Sequence, residues 1–191
     1  MRIEATALPG VVTIEPALFG DDRGWFMESF HLGKFEAGLA RLGLPAPRPF
    51  VQDNHSVSKA GTLRGLHYQL PPSPQGKLVR VTQGAAFDVA VDIRPGSPHF
   101  GRWVGVELSA ANRRQLWVPE GFAHGFLALE DDTHFLYKTT DVYAKDCERS
   151  IRWDDPAIGI HWPLPGGLAS PLLAPKDATA PLLAQADLPN V

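Results

Sequence analysis

The sequence predicts a mainly β protein, a barrel or jelly roll with a few short helices. Its eighteen glycines and eighteen prolines are spread along the chain, which is typical of many short strands joined by turns. Over the middle of the chain, apolar residues alternate with polar or small ones, with the period of two that strands have. The strand candidates follow one another closely, which favours a closed barrel or a jelly roll.

The size and charge of the chain set its organisation and its class of partner. A chain of 191 residues with 44% hydrophobic content fills one well-packed core, whereas two halves would each be marginal. We therefore expect a single domain over residues 1–191. The net charge of -3 and the pI near 6.1 give no overall basic surface, so we expect no nucleic acid and no membrane as partner.

Cysteine use and the N-terminus indicate a compartment. A lone Cys147 cannot form an internal disulfide, and MRIEATALPG has neither the basic start nor the apolar core of a signal peptide. No stretch approaches the roughly 20 apolar residues that cross a bilayer. We expect a cytoplasmic protein.

One surface helix is predicted over Lys34 to Leu44. Phe35, Leu39 and Leu42 fall at i, i+4 and i+7, so they share one face, and two prolines follow at once.

The most regular strand pattern begins at Lys77 and predicts a hairpin that turns at Gly84. The face of its second strand that carries Asp88 and small residues either lines a cavity or faces solvent. After Trp162 the chain is rich in Pro and Ala, so residues 163–191 are predicted to wrap the barrel. Further strands are predicted at Trp103 to Leu108, Gln115 to Val118, Gly125 to Leu129 and Phe135 to Thr139.

His67 is the first candidate for chemistry. Arg64 precedes it by three residues and Lys77 follows by ten, and two nearby cations would lower the proton affinity of an imidazole and keep it available as a base. The alternative is a core histidine with a hydrogen-bond partner. Arg64 and His67 face opposite sides of an unbroken strand, so Gly65 marks either a bulge that brings both into one pocket or an ordinary turn.

His124 raises the question of a metal ion, because many small β-barrels bind one through several histidines and a carboxylate. The seven histidines are dispersed and form no His-x-His pair, so we expect no metal and interpret His124 as a hydrogen-bond donor to a substrate oxygen or to a carbonyl. Tyr137 and Tyr143 either pack at a barrel mouth or, facing His67, supply a proton donor. Four carboxylates either orient a base or bind sugar hydroxyls, or are surface charges: Glu28, Asp88, Glu148 and Asp177.

Five segments carry a resemblance that runs from Phe19 to Asp177. In chain order they are FGDDRGWFMESF, FVQDNHSVSKAGTLRGLHYQ, QGKLVRVTQGAAFDVAVDIR, RQLWVPEGFAHGF and FLYKTT. Together they resemble the motif set of the dTDP-4-dehydrorhamnose 3,5-epimerases. The resemblance implies a metal-free, cupin-like double-stranded β-helix, or jelly-roll barrel. It also implies a homodimer that exchanges N-terminal strands, a dTDP-4-keto-6-deoxy-glucose substrate and no cofactor.

The resemblance also assigns residues. It makes His67 the base, Tyr137 the acid and Asp177 the partner of His67, although position 174 is Ala where the family's segment has Ser. Lys77 is the candidate counter-charge for an enolate on O4. The resemblance places the remaining residues as follows: Arg64 and His124 around the sugar; Gln52, Asp53 and Asn54 at the nucleotide; Tyr143 on thymine; Phe19, Arg23 and Glu28 in the neighbouring subunit's site; Glu148 and Lys176 at further binding positions.

The reaction that the family performs requires a base, an enolate-stabilising group and an acid on the opposite face of the sugar. No redox cofactor is consumed because the oxidation state of the sugar does not change, and the sequence has no Gly-rich dinucleotide loop. Three alternatives remain open at this stage. They are an epimerase that inverts only one carbon, a metal-dependent cupin enzyme and a non-catalytic sugar-binding barrel.

Overall fold

The computed structural model describes residues 1–189, and that range is mainly β, as predicted. The helices are α1 (Leu32–Arg41) and α2 (Pro175–Ala178), with three 3₁₀ turns at Lys145–Cys147, Pro165–Gly167 and Leu183–Gln185. The strands are β1 (Arg2–Ala5), β2 (Val12–Glu15), β3 (Leu18–Asp21), β4 (Gly24–Met27), β5 (Gln52–Ser58), β6 (Leu63–Gln69), β7 (Lys77–Gln83), β8 (Ala85–Asp92), β9 (Trp103–Ser109), β10 (Gln115–Val118), β11 (Phe122–Ala128), β12 (Thr133–Thr139) and β13 (Glu148–Ser150).

Within residues 1–189 the strands form two antiparallel sheets and a separate hairpin. One sheet has the order β1-β2-β10-β7-β12-β5, the other the order β13-β6-β11-β8-β9, and β3 pairs only with β4. The predicted β7–β8 hairpin is wrong, because the two strands lie in different sheets. Gly84, with a φ of 72°, turns the chain from one sheet to the other. Alternation reveals the two faces of a strand but not its partner.

The core lies between the two sheets. Val79 and Phe135 of one sheet pack there with Ala90 and Phe126 of the other. Asp88 is on the same inner face and is fully buried. The Asp88 face of β8 therefore does not face solvent: it packs in the core between the sheets, and Asp88 is not among the residues that line the cavity described below.

A second apolar layer covers the outer face of the five-stranded sheet. Val89, Val91 and Leu66 pack there against Ile158 and against Leu183 of the C-terminal segment. That segment also forms a bridge between Leu172 and Thr62, so its described part, 163–189, runs along this sheet. The last two residues of the predicted domain and wrap, 190 and 191, lie outside the described residues.

The helix α1 is shifted from its predicted position. It begins at Leu32, because the His31 ring accepts the Lys34 N–H at 3.3 Å as an N-cap. It ends at Arg41 rather than Leu44, because Gly43 adopts a φ of 71° and the chain closes in a Schellman turn. Phe35 and Leu39 are buried as predicted, but Leu42 lies past the last turn and is 38% exposed.

The bulge interpretation of Gly65 is confirmed. His67 pairs with His124 and Arg64 with Phe126, so two residues of β6 oppose one of β11. Gly65 has a φ of 142°, and a Cβ there would lie 2.5 Å from the Gly125 Cα. The extra residue turns both Arg64 and His67 toward the same cavity.

No helix within residues 1–189 combines the length and the apolar character needed to span a bilayer.

Candidate active site

A cavity of about 310 Å³ is lined by residues of both sheets and of α2. It brings together residues that are far apart in the sequence and that the family resemblance assigns to one site. The candidate residues that line it are Gln52, Asn54, Arg64, His67, Lys77, His124, Tyr137, Tyr143, Glu148, Lys176 and Asp177.

His67 and Asp177 form a hydrogen-bonded pair on one wall. The His67 Nε2 and the Asp177 Oδ1 are 2.6 Å apart, and Asp177 is 1% exposed. Burial lowers the pKa of His67, Asp177 opposes that effect, and the Lys77 and Lys176 cations lower the pKa further. A neutral ring with Nε2–H donating to the carboxylate keeps its lone pair on Nδ1, which is the arrangement of a base with an orienting carboxylate.

Lys77 is a buried cation at the start of β7. Burial lowers the pKa of its ammonium group to about 8, while Asp88 and Glu148 act in the opposite direction. Its Nζ donates to the His67 carbonyl at 3.4 Å. A desolvated ammonium group beside the imidazole is suited to stabilise a negative charge that develops on a bound oxygen.

A second imidazole–carboxylate pair lies deeper. His124 on β11 and Asp88 on β8 approach to 2.8 Å between Nε2 and Oδ1, and neither residue is more than 7% exposed. Among the described residues, nothing hydrogen-bonds the other Asp88 oxygen. Burial raises the pKa of Asp88, and His124 and Lys77 only partly offset this.

Two tyrosines stand at different depths. Tyr137 on β12 is largely buried, and burial raises the pKa of its phenol, so it carries its proton at neutral pH. Tyr143 is exposed at the mouth, where its hydroxyl donates to Glu148 at 3.1 Å. Lys176 donates to the other Glu148 oxygen at 2.7 Å, so these three side chains form a continuous polar rim.

Asp53 lies outside this cavity. Gln52 and Asn54 point inward from β5, so the alternation of the strand directs Asp53 to the outer face. There its carboxylate pairs with Lys138 at 2.9 Å.

Phe19, Arg23 and Glu28 also lie outside it. Phe19 is exposed on the β3–β4 hairpin. Arg23 pairs with its neighbour Asp21, and Glu28 accepts from Lys34 at 2.7 Å. Within one chain these three residues do not meet the cavity.

Sequence reasoning missed several residues of the cavity wall. Alternation was the available signal: Gln69 lies two residues beyond His67, Ser56 two beyond Asn54, and Phe135 two before Tyr137. The missed lining residues are Ser56, Tyr68, Gln69, Gln75, Phe126, Phe135 and Ala174.

In the part of the chain that the structure describes, no three His, Cys, Asp or Glu side chains are grouped as a metal site requires.

The chain is similar to known proteins over almost its whole length. The family model described as dTDP-4-dehydrorhamnose 3,5-epimerase matches residues 5–185. A dTDP-4-dehydrorhamnose 3,5-epimerase of Shigella flexneri is 54% identical, with 98% of each chain covered.

Two solved structures have the same fold. The dTDP-6-deoxy-D-glucose-3,5-epimerase of Legionella pneumophila, in complex with dTDP-4-keto-L-rhamnose, is 49% identical with a TM-score of 0.90, covering 100% of this chain and 98% of the other. A 3′-monoepimerase from Streptomyces bikiniensis, in complex with dTDP-quinovose, is 36% identical with a TM-score of 0.86, covering 100% and 93%. With its cupin-like barrel and the family match over 5–185, the chain belongs to the dTDP-4-dehydrorhamnose 3,5-epimerase family of isomerases.

Proposed function

We propose that this protein inverts C3 and C5 of dTDP-4-keto-6-deoxy-glucose, giving dTDP-4-keto-L-rhamnose for dTDP-rhamnose or related deoxysugar synthesis. One observation carries the proposal: a histidine with an orienting carboxylate, a buried ammonium group and a protonated phenol line the same cavity. These groups are His67 with Asp177, Lys77 and Tyr137. A carbonyl α-proton exchange needs these three kinds of group.

The reaction begins with removal of the C–H proton next to the ketone. His67 takes the proton from C5 or C3, and the electron pair moves onto O4 to form an enolate. Asp177 stabilises the imidazolium that forms, and Lys77 supplies the counter-charge for O4. One such preorganised group at an oxyanion contributes about 3 to 4 kcal/mol to the barrier reduction.

Tyr137 returns a proton to the opposite face of the same carbon. The phenol is suited to this because it is protonated at neutral pH and lies in the same cavity as His67. Arg64 and His124 hold the sugar oxygens around the reacting carbons. No electrons are gained or lost. Each inversion leaves His67 protonated and Tyr137 as a phenolate, and proton exchange with water restores both groups before the next carbon reacts.

The nucleotide binds at the mouth. Tyr143 offers an exposed ring on which thymine stacks, since base–aromatic stacking tolerates an open surface. Gln52 and Asn54 meet the nucleotide from β5, and Glu148 with Lys176 forms the adjacent rim. Lys176, the cation of this rim, meets the diphosphate.

We infer that two copies complete each site, in the cytoplasm. The β3–β4 hairpin carries three large aromatic side chains that are more than half exposed, Phe19, Trp25 and Phe26, which is unusual for a surface that faces water. Exchange of this hairpin would cover the aromatic patch and deliver Phe19, Arg23 and Glu28 to the neighbouring cavity. Sedimentation that finds only monomer would remove this assignment of Phe19, Arg23 and Glu28.

The test follows deuterium entry at C3 and C5 of the substrate by NMR in heavy water, with chelator-treated protein. We expect exchange at both carbons with the wild type and with His161→Ala, an exposed histidine outside the cavity, and a loss of about 10²- to 10⁴-fold with His67→Ala. If the wild type exchanged neither carbon, the proposal would fail, and a metal-dependent cupin enzyme or a non-catalytic sugar-binding barrel would be the better interpretation.

A single-carbon epimerase is the second candidate. It is favoured by the structural likeness to the 3′-monoepimerase of Streptomyces bikiniensis, which at 36% identity is less similar than the 3,5-epimerase of Legionella pneumophila at 49%. Deuterium at C3 alone would identify this narrower activity.

A further inference from the structure

Arg48 does not line the cavity, but it connects three segments that surround it. It lies between α1 and β5, and its Nε donates to Glu120 at 2.7 Å while its Nη1 donates to Asp141 at 3.0 Å. Its Nη2 donates to the Pro74 carbonyl. One guanidinium group therefore joins the loop before β7, the β10–β11 turn and the segment after β12.

Thr140 links the Arg48–Glu120 pair to the backbone of Gly76. Its hydroxyl donates to the Glu120 oxygen that Arg48 also contacts, at 2.8 Å, and accepts the Gly76 N–H at 2.8 Å. The Thr140 N–H in turn donates to the Gly76 carbonyl at 3.0 Å. A Cβ at Gly76 would lie 2.4 Å from the Trp117 ring, so the backbone here is held on both sides.

Asp141 shapes the turn that carries Tyr143. Its Oδ1 accepts the Val142 N–H at 2.8 Å, and its carbonyl accepts the Gln75 side chain at 2.8 Å. The Tyr143 N–H then donates to the Gln52 side chain at 2.9 Å. The tyrosine ring is exposed, so its position depends on this backbone more than on packing.

We infer that Arg48, Glu120 and Thr140 are positioning residues for nucleotide binding: the cluster fixes the 140–143 turn against the 74–77 loop and so sets where the Tyr143 ring meets the base. The inference rests on the proposed function, since it assigns these residues to the nucleotide end of that site. It adds residues that touch neither the sugar nor the base.

The experiment compares Glu120→Ala with Glu120→Gln in the full chain. The alanine removes the acceptor that Arg48 and Thr140 share, whereas the glutamine carbonyl still accepts from both. We expect Glu120→Ala to raise the Kd for dTDP and the KM for the nucleotide sugar about tenfold, a fraction of what full loss of base stacking costs. We expect kcat to change less than about threefold, because the reacting groups stay in place.

Two further variants make the comparison specific. Arg48→Met removes the three-way contact without touching Glu120, and we expect it to behave like Glu120→Ala. Arg152→Met breaks an exposed ion pair with Asp154 away from the cavity and serves as the matched control, with unchanged Kd and KM. Melting temperatures are measured for all four variants.

Recovery of Kd and KM in Glu120→Gln, with kcat preserved throughout, supports the inference. A lower melting temperature with wild-type Kd and KM in Glu120→Ala and Arg48→Met would overturn it and leave only a structural role. Failure of the wild type to bind dTDP or to turn over the sugar would overturn the proposed function instead, so the two failures are distinguishable.

Discussion

The two imidazole–carboxylate pairs of the cavity look alike but are built differently. His67 and Asp177 are separated by 110 positions in the sequence, and the carboxylate reaches the ring from α2 in the C-terminal segment. His124 and Asp88 stand on adjacent strands, 36 positions apart. In both pairs the ring uses Nε2, which leaves Nδ1 for another partner.

The difference in surroundings gives the pairs different chemistry. Burial and two cations lower the pKa of His67, so its ring is neutral and able to take a proton. In the deeper pair, burial raises the pKa of Asp88, so the carboxyl group gives up its proton less readily and the pair as a whole is suited to donate a hydrogen bond. The same two residue types thus make a base at one place and a donor at the other.

Asp177→Asn is expected to have the largest effect among the variants that keep both rings. The asparagine amide donates to Nε2 of His67 and moves the ring proton to Nδ1, so the free nitrogen can no longer act as a base. A change of tautomer of this kind lowers kcat about 10³- to 10⁴-fold. The measurement is single-turnover epimerisation together with deuterium exchange at C3 and C5. Retention of more than a tenth of the wild-type kcat would contradict the role of Asp177.

Lys77→Ala follows in size. Lys77 lies within reach of both pairs, since its Nζ contacts the His67 carbonyl and its charge interacts with Asp88. Without its charge the enolate on O4 loses about 3 to 4 kcal/mol of stabilisation, or 10²- to 10³-fold in kcat. Lys77→Met keeps the packing of the aliphatic part of the side chain but removes the charge, so we expect it to lower kcat as much as Lys77→Ala does. A normal kcat in the methionine variant would show that the reaction does not use the charge.

The pH profile of kcat/KM is expected to be a bell set by His67 and Lys77. His67 acts as a base only above its pKa, and that pKa is lowered from 6.5, so the acid limit lies below this value. Lys77 is charged only below its pKa of about 8, so activity falls as pH rises through that value. Steady-state rates measured from well below pH 6.5 to above pH 10.5 test the assignment, and an alkaline limit near the ordinary lysine value of 10.5 would remove Lys77 from it.

The family resemblance predicts the pairing of Asp177 with His67, and alternation predicts the strand content, but no sequence feature pairs His124 with Asp88. Local sequence patterns alone do not predict that Asp177 reaches His67, because a contact across 110 positions depends on how the C-terminal segment packs on the five-stranded sheet. The resemblance grouped Gln52, Asp53 and Asn54 at one site, although a period of two separates Asp53 from the other two within one chain. The sequence predicts a turn at Gly84, but local spacing does not reveal that β7 and β8 enter different sheets.

Asp88→Asn is expected to have the smallest effect and is the sharpest test of the comparison. An asparagine here can also donate to Nε2, which places the proton of His124 on Nδ1, and that is the tautomer a hydrogen-bond donor to a sugar oxygen needs. The substitution also removes a fully buried carboxylate. We therefore expect kcat within about tenfold of wild type, well below the effect of the tautomer change at Asp177, with no loss of melting temperature. If Asp88→Asn instead lowered kcat as much as Asp177→Asn does, His124 would have to act as a second base, and the two pairs would serve the two carbons rather than divide into base and donor.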